Sequence, residues 1–130
     1  GWLEIEMPFD TTYFKENTED KVNNYEELIT KMRPSAARWD ALMQTIKFFS
    51  EYGRMILVRV PVSPEMAAIE TIYYPDFEDR ISELAHKKGA SFLDYSHLND
   101  SLYFTDGNHL HRSSAKIFSG ILGRDIRKLR

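Results

Sequence analysis

The sequence predicts a single α/β domain in which an open parallel sheet is covered by helices on both faces. Three observations lead to this fold class. An apolar run rich in β-branched residues lies between Gly53 and Pro61, two other segments have strand-like patterns, and the stretches between them carry apolar residues at helical spacing. The resulting order, β-α-α-β-α-α-β-α, has helices long enough to connect parallel strands. With 130 residues, of which 42% are hydrophobic, the whole chain, 1–130, fits one domain.

Each predicted strand has its own pattern. Residues 2–7 alternate between two faces, one of which is entirely apolar, as in a strand with one buried face that Pro8 ends. Residues 55–60 are almost continuously apolar and predict a central strand buried on both faces. Residues 91–95 predict a third strand. The loops that follow parallel strands meet at one edge of the sheet, where ligands bind.

The predicted helices follow from apolar periodicity and from residues typical of helix ends. Pro34 interrupts the first helix, and Ser35 is a suitable N-cap for the second. Gly53 follows the second predicted helix and Gly89 ends the fourth, as is common at helix C-termini. The predicted helices cover residues 25–32, 35–52, 65–73, 77–89 and the stretch from 113 onward.

Composition and charge exclude several classes of function. The formal net charge of -3 and the absence of any long block of one sign leave no basic face for nucleic acid. The chain has no cysteine, which excludes disulfides, thiolate nucleophiles and cysteine-based metal sites. No run approaches the roughly 18 apolar residues of a membrane span. A strand-like pattern starts directly after Gly1, so we expect the natural chain to have residues before it.

The most informative segment for chemistry is the loop that precedes the last helix. It contains Asp106 and His109, three residues apart. In such a loop the carboxylate can accept a hydrogen bond from one imidazole nitrogen while the other nitrogen faces a cleft. That is the arrangement of an orienting acid and a general base that activate a hydroxyl nucleophile.

Other interpretations of the same residues remain open. Asp106 and Gly107 can simply form a turn, and His109 can be a loop histidine that bonds to Asp106 and fixes the start of the helix. His111 can join Asp106 and His109 in a metal site, although no further cluster of ligands is evident in the sequence. The spacing alone does not separate these possibilities.

The context of the pair favours catalysis. Residues 106–110, followed by residues 114–118, resemble the last block of the SGNH/GDSL hydrolase family, in which an Asp-x-x-His pair precedes the terminal helix. The similarity extends to residues 58–63 as a core strand and, more loosely, to most of the chain. It is closest to bacterial envelope-associated branches that include acyl-transfer proteins of polysaccharide modification. The resemblance implies a three-layer, flavodoxin-like sheet, Asp106 as the orienting acid, His109 as the general base, and no metal or cofactor.

The chain also departs from the family pattern. The Gly-Asp-Ser block that supplies the nucleophile and the blocks that supply oxyanion donors do not occur in these residues. We therefore expect the serine to lie before Gly1. A flavodoxin-like sheet of about five strands would keep only three here. Such a remnant would expose a sheet edge, through which two copies of the chain can associate.

Three further residues are candidates for substrate binding. Arg59 lies inside the apolar strand over residues 55–60, so it needs a partner, which can be a carboxylate such as Asp94 or the substrate. Ser63 follows that strand and is the one serine considered as a substitute nucleophile, although an N-cap role is the ordinary interpretation. Asn108 lies between the two triad candidates.

Two classes of function are therefore carried forward. The first is an esterase or acyltransferase that acts on a small-molecule or glycan acyl ester in the bacterial envelope or periplasm, the location that the resemblance implies. The second is a non-catalytic domain that binds a glycan or a protein with a ring of aromatic residues. These are Trp2, Phe9, Tyr13, Tyr73, Tyr74, Tyr103 and Phe104.

Overall fold

The computed structural model describes residues 8–129, and 66% of these residues are helical. Two strands form a two-stranded parallel sheet. In chain order the elements are α1 (Thr11–Lys31), α2 (Ala36–Ser50), β1 (Ile56–Arg59), α3 (Pro64–Tyr73), α4 (Phe77–Lys87), β2 (Ser91–Asp94), a short 3-10 helix (Ser96–Ser101) and α5 (Arg112–Lys128).

The prediction of a three-layer, flavodoxin-like sheet is wrong. The described residues contain one small sheet, in which Ile56 pairs with Ser91 and Arg59 pairs with Asp94. Helices dominate because most of the chain outside the two strands carries apolar residues at a 3.6-residue period, which cannot form a continuous buried face in an extended strand. The strand predicted over residues 2–7 lies outside the described residues.

Several helix starts follow from local capping, as predicted. The Ser35 hydroxyl accepts the backbone N–H of Arg38 over 3.3 Å at the start of α2. Ser63 does the same for the N–H of Met66 over 3.4 Å at the start of α3, where Pro64 occupies the first turn. These bonds satisfy N–H groups that have no partner within the helix. Gly89, with a φ of +64°, follows α4 at the position predicted from its freedom to adopt left-handed backbone.

Helix α1 is longer than the sequence predicted. The expected helix over residues 25–32 is only its last part, since α1 begins at Thr11. Asp10 caps this start by accepting the N–H groups of Thr12 and Tyr13 at 2.9 and 3.1 Å. The additional turns bring α1 against α3 and place it beside the loop before α5.

The two faces of the strand pair contact different apolar clusters. Leu57 and Phe92 pack with residues of α2 and α4, among them the fully buried Ile46. Val58 and Leu93 point the other way, toward a cluster that includes Phe118 of α5. This alternation is the period of two expected in strands. The β1 residues are only partly buried, whereas the sequence predicted burial on both faces.

No helix in the described part of the chain is long and apolar enough to cross a membrane, as the sequence predicted.

Candidate functional site

The loop with Asp106 and His109 is held at its base by a short antiparallel pairing. Phe104 bridges to Leu110, and both side chains pack in the apolar cluster beneath α5. The N–H of Thr105 donates to the carbonyl oxygen of His109 over 2.8 Å. Because both ends of residues 105–109 are fixed in this way, the loop presents a defined conformation rather than an open connection.

Asp106 and His109 form the hydrogen bond that the sequence predicted. The Nδ1 atom of His109 lies 2.8 Å from Oδ2 and 3.0 Å from Oδ1 of Asp106. The backbone N–H of His109 also donates to Oδ1 over 3.0 Å. The His109 side chain is 71% exposed, whereas that of Asp106 is 26% exposed. The carboxylate is thus partly enclosed, and the rest of the imidazole ring faces solvent.

A lysine ammonium contacts the same carboxylate. The ammonium group of Lys21, in the middle of α1, donates to Asp106 Oδ2 over 2.6 Å and to Asn108 Oδ1 over 2.8 Å. The Lys21 side chain is 23% exposed, so this ion pair is partly screened from water. Asn108 therefore contributes its amide oxygen to the network around Asp106; its role in substrate binding stays a prediction.

Opposing influences act on the pKa of the Asp106 carboxyl group. Partial burial is the largest single influence and acts to raise the pKa. Hydrogen bonds from the Lys21 ammonium and from the ring and backbone of His109 together outweigh burial and hold the pKa of Asp106 below its ordinary value. Asp106 is therefore ionised at neutral pH and can only accept hydrogen bonds, so the proton in its bond to His109 belongs to Nδ1.

Gly107 lets the loop approach α1 and α3 closely. Its φ of +89° is a backbone conformation that residues with a side chain rarely adopt. A Cβ atom at this position would lie 2.9 Å from Met66 Cγ and 3.2 Å from Thr18 Cγ2. The chain bends at Asp106 and Gly107, so the alternative interpretation of a simple turn and the Asp106–His109 hydrogen bond do not exclude each other.

Ser63 and Arg59 each form hydrogen bonds with residues other than Asp106 and His109. Ser63 is 5% exposed, and its hydroxyl caps α3. Arg59 donates to Glu70 over 3.1 Å and to Asp94 over 3.4 Å, so the predicted pairing with Asp94 is confirmed. Burial acts to lower the pKa of Arg59, but its bonds to the two carboxylates prevail and raise it. Their roles in substrate binding stay predictions.

The described residues provide no further ligands for the metal site that was considered for Asp106, His109 and His111. His111 directs Nδ1 to the hydroxyl of Ser113 over 2.8 Å, and its ring packs against Phe9 and Phe14. Among residues 8–129 there is no group of three or more histidine, cysteine, aspartate or glutamate side chains that could hold a metal ion.

No family model, no curated protein and no solved structure matches this chain. The resemblance to SGNH/GDSL hydrolases consequently stays a prediction from the sequence.

The sequence did not single out the contribution of α1. Asn17 and Thr18 lie three and four residues after Phe14, and Lys21 lies four residues after Asn17, so these side chains share one helical face. Asn17 donates to the carbonyl oxygen of Thr105 over 3.4 Å, and Thr18 lies beside Gly107. The helical spacing of these residues was visible in the sequence. Because three of the four are polar, however, the pattern does not look like the buried apolar face of a helix.

Proposed function

We propose that Asp106 and His109 are the acid–base half of a Ser-His-Asp triad in an SGNH-type esterase or acyltransferase, whose serine precedes Gly1 in the natural chain. One observation carries this proposal. Both carboxylate oxygens of Asp106 lie within 3.0 Å of His109 Nδ1, while the His109 side chain is 71% exposed. In its neutral form, an imidazole that donates from Nδ1 carries its free lone pair on Nε2, as a general base requires.

The reaction follows from this arrangement. His109 Nε2 accepts the proton of the serine hydroxyl as the serine oxygen attacks the ester carbonyl carbon. Asp106 stabilises the imidazolium that forms. When the tetrahedral intermediate collapses, the bond to the alcohol breaks and the imidazolium returns its proton to the departing oxygen. Water or a second alcohol then removes the acyl group from serine by the same proton transfers. The enzyme is a hydrolase if the acceptor is water and a transferase if it is an alcohol.

Steady-state hydrolysis of p-nitrophenyl acetate tests the proposal. A chain that includes the natural residues before Gly1 is expected to turn over, and His109→Ala is expected to lower kcat by at least about a hundredfold. His86→Ala is the matched control, because His86 is an exposed residue in the last turn of α4. An extended chain whose turnover survives His109→Ala would contradict the proposal.

The 130-residue chain provides a second, independent result. It is expected to lack esterase activity, because no hydroxyl within the described residues hydrogen-bonds to the His109 ring. Turnover by this chain that disappears in His109→Ala would place the nucleophile within these residues instead.

A binding domain is the second candidate function, and an aromatic cluster beside the loop favours it. Phe9 and Tyr103 are 52% and 55% exposed, and their rings meet edge to face with 4.9 Å between centroids. Exposed rings of this kind can stack against the apolar face of a sugar. By contrast, Phe104 is buried, Tyr73 and Tyr74 line a separate cleft, and Trp2 lies outside the described residues.

Titration with chitotetraose, followed by NMR shift changes, tests this candidate. Binding is expected to be lost in Tyr103→Ala and kept in Tyr52→Ala, since Tyr52 is an exposed residue after α2. If wild type and both variants give no shift changes, the cluster is not a glycan site.

A further inference from the structure

We propose that Lys21 is a positioning residue for the Asp106–His109 pair, holding the carboxylate in the orientation that binds Nδ1 of the imidazole. This inference rests on the proposed function, because it gives Lys21 a role in the same proton transfer. With Lys21, a residue of α1 becomes part of a site that the sequence placed entirely in the loop before α5.

The contacts of Lys21 differ from those of the other paired lysines on α1. Lys15 pairs with Glu19 one turn away on the same helix, and its side chain is 78% exposed. Such pairs contribute little and do not fix distant parts of a chain. Lys21 instead reaches a carboxylate 85 positions away in sequence and is 23% exposed. Its ammonium therefore orders the loop relative to α1.

The hydrogen bonds of Asp106 are divided between its two oxygens. Oδ2 accepts the Lys21 ammonium at 2.6 Å, and Oδ1 accepts the backbone N–H of His109 at 3.0 Å. Rotation of the carboxylate about its Cβ–Cγ bond would break one of these bonds. The plane of the carboxylate is therefore fixed, and both oxygens stay directed toward His109 Nδ1.

The charge of Lys21 acts in addition to its geometry. The titratable groups around the Asp106 carboxylate are Lys21 on α1 and His109 in the loop, with Asp20 of α1 beside the same open cleft. The Lys21 ammonium acts to lower the pKa of Asp106, and the ionised carboxylate accepts the Nδ1 proton in a hydrogen bond. Without that cation the carboxyl group is more easily protonated and His109 is less firmly held in one tautomer.

A purely structural role for Lys21 makes a different prediction, and Asn17 separates the two. Asn17 also joins α1 to the loop, through its bond to the Thr105 carbonyl oxygen, but within the described residues its side chain makes no hydrogen bond to Asp106. If joining α1 to the loop were all that mattered, losing either side chain would have the same effect on His109.

The experiment is NMR of the 130-residue chain, with ¹⁵N signals of the His109 ring reporting its tautomer and the ¹³C carboxyl signal reporting the titration of Asp106. In Lys21→Met the Asp106 titration is expected to move to higher pH, and the Nδ1–H tautomer is expected to lose population. Lys21→Arg keeps the charge and is expected to restore both signals. Asn17→Ala and Lys15→Met are the matched controls, and both are expected to keep the wild-type signals.

The Lys21→Gln variant covers the case in which Lys21→Met does not fold. It retains amide donors for Asp106 but removes the charge, so the Asp106 titration is again expected at higher pH. In the esterase assay of the extended chain, Lys21→Met is expected to lower kcat on the order of ten- to a hundredfold and to leave KM unchanged.

Two outcomes would overturn the role of Lys21. One is wild-type His109 and Asp106 signals in the folded Lys21→Met or Lys21→Gln variant. The other is an equal change of these signals in Asn17→Ala. The proposed function fails separately, if His109→Ala keeps the esterase rate of the extended chain while Lys21→Met still alters the His109 signals.

Discussion

The backbone N–H of Ser63 donates a hydrogen bond to the carbonyl oxygen of Gly107 over 2.6 Å. This bond joins the segment between β1 and α3 to the loop that holds Asp106 and His109. Lys21 joins the same loop to α1 through Asp106. The candidate site is therefore held from two elements that are far from it in sequence, and disturbing either attachment should be measurable.

Substitution of Gly107 by alanine is expected to destabilise the fold by about 1–3 kcal/mol. The alanine would have to adopt a φ of +89°, and its Cβ would lie 2.9 Å from Met66 Cγ. Backbone strain and a close contact therefore act together. Urea denaturation measures the loss. Gly120→Ala is the control, because Gly120 lies within α5 and a Cβ atom added there would meet no neighbouring side chain within 4 Å. That variant should gain about 0.5–1 kcal/mol through helix propensity.

Replacing Arg59 with methionine is expected to lower the free energy of unfolding by about 1.5–3 kcal/mol, the usual contribution of hydrogen bonds to charged groups. The Arg59 and Asp94 side chains are each 18% exposed, so the substitution leaves a partly buried carboxylate without its cation. Lys87→Met is the control, since its pair with Glu83 is exposed on both sides. Equal denaturation midpoints for wild type and Arg59→Met would contradict the prediction.

The stabilising contribution of Asp106 is expected to disappear in acid. Because the pKa of Asp106 is lower in the folded than in the unfolded chain, the unfolded chain binds more protons as pH falls. The contribution is fully present above the unfolded pKa of about 4 and is lost as pH falls from there through the folded pKa. The difference in unfolding free energy between wild type and Asp106→Asn should therefore shrink below about pH 4.

Asn17→Ala is the control for this pH series. It breaks another bond between α1 and the loop but removes no titratable group, so its difference from wild type should stay constant with pH. A constant difference for Asp106→Asn as well would show that the carboxylate charge contributes nothing.

The hydroxyl of Tyr95 is expected to contribute about 1 kcal/mol to stability. Tyr95 is 5% exposed, packs against Phe118, and donates to Asp125 Oδ2 over 3.1 Å. Burial, followed by the bond to Asp125, raises the pKa of the Tyr95 phenol, so an ultraviolet titration should show this phenol ionising at a higher pH than it does in the unfolded chain. Tyr95→Phe keeps the ring and tests the hydroxyl alone, with the exposed Tyr103→Phe as control.

Local features of the chain were predicted well from the sequence. The caps at Ser35 and Ser63 and the glycine after α4 depend on groups within a few residues of one another, so their patterns are complete in a short segment. The bond between Asp106 and His109 is equally local, because three residues separate its partners. The two strands β1 and β2 also lie within the segments predicted for them.

Features that depend on distant partners were not predicted. The sheet has two strands in the described residues rather than the layered architecture expected, because a strand pattern does not say how many neighbours it pairs with. The first half of α1 was missed, since its Asp10 cap and polar face resemble an ordinary loop.

By itself, the sequence determined where most helices begin and end and which carboxylate and imidazole meet in the loop before α5. These outcomes depend on short-range hydrogen bonds and on backbone preferences, which act over one or two turns. Only the tertiary structure decided that Lys21 reaches Asp106 and that Ser63 holds Gly107. Those contacts form when packed elements bring residues from distant parts of the chain together. A local sequence pattern cannot predict which distant residues will become partners.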